Sequence, residues 1–146
     1  MPMRLKSPAF SNETVLPIAY TCDGNKINPL LEISSAPADA ASLALIMDDP
    51  DAPSGAFVHW TLWNMDPKTA EIQEASKPPG AIEGVTSMGI PGYVPPCPPF
   101  GRHHYRFTLY ALDTRLDLRG NATKDDLVAA MEGHILEQNT LIGLYH

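Results

Sequence analysis

Two stretches stand out in the pattern of apolar and polar positions. Phe57 to Met65 (FVHWTLWNM) and His103 to Leu112 (HHYRFTLYAL) are rich in aromatic and β-branched residues, which predicts two strands. Leu43 to Met47 is a continuous apolar run stopped by Asp48-Asp49-Pro50, the pattern of a buried strand ending at a turn. Leu30 to Ile33 predicts a weaker strand, and Thr140 to Tyr145 a short final one. One helix is predicted. Thr123 offers an N-cap, and Asp125 and Asp126 place acids in the first turn, where the helix dipole favours them. Leu127, Ala130, Met131, His134, Ile135 and Gln138 then follow at three- to four-residue spacing, carrying the helix to about Gln138. On that stripe His134 reads as a partly buried structural histidine.

Side chains alternate along a strand. Phe57, His59, Thr61, Trp63 and Met65 are therefore expected on one face, and His103, Tyr105, Phe107, Leu109 and Ala111 on one face of the other strand. Each face is mostly apolar with a histidine near its start, which places a histidine at the rim of a core. The opposite faces carry Trp60, Leu62, Tyr110 and Leu112, so both sides of the strands need cover. A two-layer β architecture supplies it.

Composition narrows the function classes. The 146 residues fit one domain, 1–146. A formal charge of −7, with no run of Lys or Arg, leaves no basic footprint for nucleic acid. No stretch reaches the roughly 18 apolar residues of a membrane span. The opening MPMRLKSPAF has no apolar core of a signal peptide, so a cytoplasmic protein is expected. Cys22 and Cys97 are too few for a disulfide framework and read as two unrelated reduced thiols. Fifteen prolines rule out a mostly helical chain. Seven of them lie between Pro78 and Pro99, in a long irregular segment whose stiffness would lower the ordering cost of binding.

A third element completes a candidate site. Asp48, Asp49 and Asp51 sit on a turn stiffened by Pro50 and Pro53. A carboxylate beside an imidazole favours imidazolium. Two histidines held partly protonated would bind a small anion such as phosphate or sulfate, with Tyr105 as an added donor. The same groups also read as a metal-ligand mix or as a hydrolytic acid–base pair. No nucleophile motif accompanies them: G-x-S-x-G and H-E-x-x-H are both absent.

At MDDPDAPSGAFVHWTLWNM (47–65) and GYVPPCPPFGRHHYRFTLYALD (92–113) the chain resembles the phosphatidylethanolamine-binding protein family, also called Raf kinase inhibitor protein-like. The likeness is to its short bacterial and archaeal branch. Phe10-Ser11-Asn12 and Tyr20-Thr21-Cys22-Asp23-Gly24 match as well. The resemblance implies a mainly β fold, a Greek-key sandwich of two antiparallel sheets with a helix near the C-terminus. It implies a small anion pocket that maps onto Asp49, Asp51, His59, Pro98, Pro99, Gly101, His103 and Tyr105. It further implies a protein that binds phosphate or a phosphoethanolamine-like head group and pairs as a homodimer; the Asp/His/Tyr set without a nucleophile leads us to expect that it is non-catalytic, with no metal or cofactor. A protein kinase or protease partner is a second expectation, with inhibition through surface loops. A weak or metal-dependent hydrolase using His59, His103 and Asp49 is a third. Two departures from the family pattern are His104, where relatives carry Arg, and Val94-Pro95-Pro96, where they are often glycine-rich.

Overall fold

The structure is a computed structural model and describes residues 1–146. Nine strands form in chain order: β1 (Arg4–Lys6), β2 (Thr14–Val15), β3 (Leu31–Ser34), β4 (Ser42–Asp49), β5 (Phe57–Met65), β6 (Glu71–Ile72), β7 (Ile82–Glu83), β8 (His103–Leu112) and β9 (Ile135–Tyr145). The one α-helix, α1, spans Lys124–Met131. A small sheet has the order β1-β3-β6, and a large one the order β2-β9-β8-β4-β5-β7. The expectation of a mainly β, two-sheet fold holds. All pairings are antiparallel except β2 with β9, which run parallel.

The central strand β4 is buried at all eight positions, which explains its unbroken apolar run. One of its faces joins Leu5, Leu31, Ile33 and Ile72 of the small sheet in the main core, together with Phe107, Leu109 and Trp60. The other face, through Ala44 and Ile46, packs under Leu116, Leu127 and Met131. The large sheet is therefore covered by a sheet on one side and by the helix with its flanking segment on the other.

The strand β8 alternates without interruption, and its expected face, Tyr105, Phe107, Leu109 and Ala111, lies in the main core. The expected face of β5 does not hold. Its pairing with β4 slips by one residue at His59 and again near Asn64. A bulge puts two residues against one and resets the alternation. Trp60, Leu62 and Met65 consequently share the main core, while Trp63 turns toward the helix. Asn64 takes a positive φ of 56° at the second bulge. Its side chain accepts from Leu116 N–H at 2.7 Å and donates to Leu116 O at 2.8 Å.

The helix is shorter than expected. Thr123 does cap it, in a reciprocal capping box with Asp126. It stops at Met131, however, and Gly133 turns the chain at φ 81°. Ile135 to Tyr145 form β9, paired with β8 from Leu112 back to His103. The helical spacing of Ile135 and Gln138 is overridden by that pairing. His134 lies outside the helix, nearly half exposed, with Nδ1 2.8 Å from Asp113 Oδ1.

Cys22 and Cys97 are not separate thiols but form a disulfide across a sequence separation of 75. That removes the thiol-based argument for a reducing compartment. No helix is long and apolar enough to cross a membrane.

Candidate functional site

The site is built where β4, β5 and β8 end near the proline-rich segment. Asp49 closes β4, and alternation points it to the face opposite Asp48. Asp48 is bound on the helix side by Arg106 through two contacts of 2.9 Å and by Lys124 at 3.1 Å. Asp49 meets His103, the first residue of β8, with Oδ2 2.6 Å from Nδ1. Both groups are buried. The other ring nitrogen of His103 lies 3.2 Å from the Phe100 carbonyl. Both partners of the ring are acceptors, so a ring bearing two N–H groups satisfies both.

His59 is placed by the first bulge of β5. Its Nδ1 is 2.7 Å from the Val94 carbonyl, and Val94 N–H donates back to His59 O at 2.9 Å. A carbonyl only accepts, so Nδ1 carries the proton and the neutral ring keeps a lone pair on Nε2. Burial pushes the His59 pKa below its ordinary value, against the opposing pull of the Val94 hydrogen bond and the Asp49 and Asp48 carboxylates. The expectation that a neighbouring acid holds both imidazoles protonated is corrected for this residue: desolvation outweighs the carboxylates. The His59 ring meets Tyr105 edge-on at 5.3 Å and Phe57 at 4.8 Å. Burial first, and then Asp49 and Asp51, raise the Tyr105 pKa, so its hydroxyl stays a donor.

These groups line one cavity of about 440 Å³. Of the eight residues expected at a site, Asp49, His59, Pro98, Pro99, His103 and Tyr105 are on its wall. Asp51 and Gly101 are not. Asp51 turns outward and accepts from His104 N–H at 2.8 Å and meets His104 Nδ1 at 2.7 Å. Those hydrogen bonds hold its carboxyl below the usual carboxylate range. His104, at the position where the family resemblance expects Arg, thus pairs with a carboxylate of the turn. Gly101 supplies a left-handed turn, φ 73°, two residues before β8.

The cavity wall also contains residues that sequence reasoning did not assign to it. Phe57 and Met88 are two. The disulfide is another, with both Cys22 and Cys97 against the space. Phe57 was readable, since it shares a face with His59 two residues on. The Val94 carbonyl carried no sequence signal. The cavity wall includes no Lys or Arg. No group of three or more His, Cys, Asp or Glu side chains is arranged to hold a metal ion.

A family model described as phosphatidylethanolamine-binding protein matches residues 6–146. The chain belongs to the phosphatidylethanolamine-binding protein family. Among relatives of this family member, a UPF0098 protein of Methanothermobacter thermautotrophicus is 47% identical over 148 residues, covering 98% of both chains. A UPF0098 protein of Chlamydia muridarum is 42% identical with the same coverage. The crystal structure of a phosphatidylethanolamine-binding protein homolog from Chlamydia trachomatis matches with a TM-score of 0.96 at 39% identity, over 99% of this chain and 97% of that one. YbcL of E. coli, described as a new member of the mammalian family, matches with a TM-score of 0.93 over 100% and 99% of the two chains. At 23% identity it shows the shared fold alone. Membership in the phosphatidylethanolamine-binding protein family supports a binding protein.

Proposed function

We propose that the protein is a non-catalytic binding protein whose recess takes a phosphate-bearing head group or a similar small anion. The observation carrying this reading is the convergence of His59, His103 and Tyr105, with Asp49 behind His103, on one cavity. Tyr105 offers a donor, and the His103 Nε2–H would exchange its 3.2 Å contact with the Phe100 carbonyl for a bound anion. His59 joins them by taking up a proton when an anion arrives, because the anion offsets the desolvation that keeps it neutral. No serine, threonine or free thiol lines the space to serve as a nucleophile.

Thermal melts test the proposal. A ligand that prefers the native state stabilises it by RT ln(1 + [L]/Kd), about 1.4 kcal/mol at tenfold excess over Kd. Phosphoethanolamine at such an excess should raise Tm by about 3–5 °C in a domain of this size. The shift should vanish in the His59→Ala/His103→Ala double variant. An equal shift in that variant, or none in wild type at millimolar ligand, refutes the reading.

A second reading, inhibition of a kinase or protease through surface loops, has one observation in its favour. Met88, Ile90 and Phe100 are exposed apolar residues on the segments that border the recess. It predicts partner binding that survives loss of both histidines.

A further inference from the structure

We infer that the recess is shaped for an aryl-bearing organic monoanion, with the charged group at the histidines and a flat apolar body against the outer wall. The inference rests on the anion-pocket reading and names the class of ligand that pocket would take. Three observations carry it.

The first is size. The cavity measures about 440 Å³, within the roughly 300–1,000 Å³ of sites for drug-sized ligands. A bare phosphate or sulfate would occupy only a small corner of it.

The second is charge. Neither Lys nor Arg reaches the wall. Asp49 faces His103 at 2.6 Å, so an imidazolium there already has a counter-charge. Asp48, the nearest other acid on β4, is taken by Arg106 and Lys124 on the far face of the sheet. Asp51 and His104 pair with each other outside the cavity. The site has no permanent surplus of positive charge, and burying a charge without a partner is costly. One negative charge can be met by the histidines and the Tyr105 hydroxyl. A second has no cation left to meet it.

The third is the apolar wall. Phe57 lies against His59, and Pro98 and Pro99 offer rigid apolar surface without N–H groups. Met88 lines the space while 60% of it remains exposed. A thioether packs favourably against an aromatic ring. An aryl body would cover these surfaces, which a compact polar anion would leave wet.

A matched set of probes tests this by calorimetry at constant pH: benzenesulfonate, methanesulfonate and benzyl alcohol. The first carries one charge and a ring, the second the charge alone, the third the ring alone. Benzenesulfonate should bind at least tenfold more tightly than either of the others. Phe57→Ala and Met88→Ala should erase most of its advantage over methanesulfonate, so that the two sulfonates bind the variants with similar affinity. Both side chains are partly exposed, so these variants should keep the fold. Equal affinity for the two sulfonates overturns the inference and leaves the anion pocket standing. Equal affinity for benzenesulfonate and benzyl alcohol overturns both, as does the absence of binding by all three probes.

Discussion

Replacing Cys22 and Cys97 together by serine opens a cross-link between residues separated by 75 in sequence. The bond's main effect is on the unfolded chain, whose ends it keeps from separating. In the chain-entropy treatment that effect is about 15 cal/mol/K for a loop of this length, or about 4.5 kcal/mol at 25 °C. The native state has other ties across the same seam. Cys22 N–H donates to Pro96 O at 3.1 Å, and Tyr93 OH donates to Tyr20 O at 2.8 Å. The variant should therefore fold to the same structure with a much larger unfolded ensemble.

Two measurements separate this account from a loss of native packing. The unfolding entropy of a 146-residue chain, at about 2.1 cal/mol/K per residue, converts 4.5 kcal/mol into a fall in Tm of about 15 °C. Urea unfolding should show a larger m-value, because the unlinked chain exposes more surface when it unfolds. The backbone amides of His59 and Val94, read by NMR, should keep their wild-type positions. A loss below about 1 kcal/mol with an unchanged m-value refutes the argument. A full-sized loss with displaced His59 and Val94 amides would mean instead that the bond acts by holding the native loop in place.

Other outcomes follow from single side chains. His59 has a folded pKa below its ordinary 6.5, so the unfolded chain binds the extra proton first; stability should fall as pH drops from 7 through the folded pKa, and His59→Gln should flatten that slope in melts between pH 7 and 5. Asn64→Ala removes two buried hydrogen bonds to Leu116 and puts alanine at φ 56°, which should cost about 2–3 kcal/mol in urea unfolding, whereas Asn64→Gly should recover the backbone part alone. Asp48→Asn disrupts the Arg106 and Lys124 pairs; because Arg106 is half solvated the cost should be near 2 kcal/mol rather than the 3–5 of a fully buried pair, and a loss under 0.5 would refute a structural role. Gly84→Ala would bring a methyl to 2.5 Å from Thr61 Oγ1 and the Trp63 ring, and should lower stability by about 1–3 kcal/mol.

The parts of this fold legible in the sequence are those set by local pattern. The bounds of β5 and β8 follow from their aromatic and β-branched runs, and the face of β8 from unbroken alternation. The N-cap of α1 was readable because a capping box is a short-range device. What was not readable depends on partners distant in sequence. Nothing within β5 announces that its pairing with β4 slips at two points. The residues after Met131 fit a helix by spacing and become strand because β8 offers a full-length edge. Two cysteines 75 positions apart carry no pairing signal of their own. The site divided in the same way. Asp49 is expected from its turn, His59, His103 and Tyr105 from residue type and strand position, and all four also from the family resemblance; the four line the cavity. The outward turn of Asp51 depends on His104, its partner across 53 positions.

The first bulge shows how one backbone irregularity serves both the core and the recess. His59 and Trp60 are adjacent, so regular alternation would send them to opposite faces. Trp60 is buried in the main core, edge-on to Tyr93 at 5.6 Å, with its indole N–H donating to Glu83 at 2.7 Å. His59 meets Tyr105, whose side chain belongs to that same core. Both must therefore project from one side of the sheet. The extra residue in β5 makes this feasible, and His59 is held to the proline-rich segment by its ring contact with the Val94 carbonyl and by the Val94 N–H bond to its own carbonyl. Those bonds also lash the proline segment to the sheet edge, so the loop wall and the imidazole are fixed by the same contacts. The orientation of His59 and the shape of the recess are consequently set before any ligand arrives. Pre-organisation of that kind would lower the ordering cost of binding the proposed ligand, with the recess shaped by a strand register and the loop contacts it anchors.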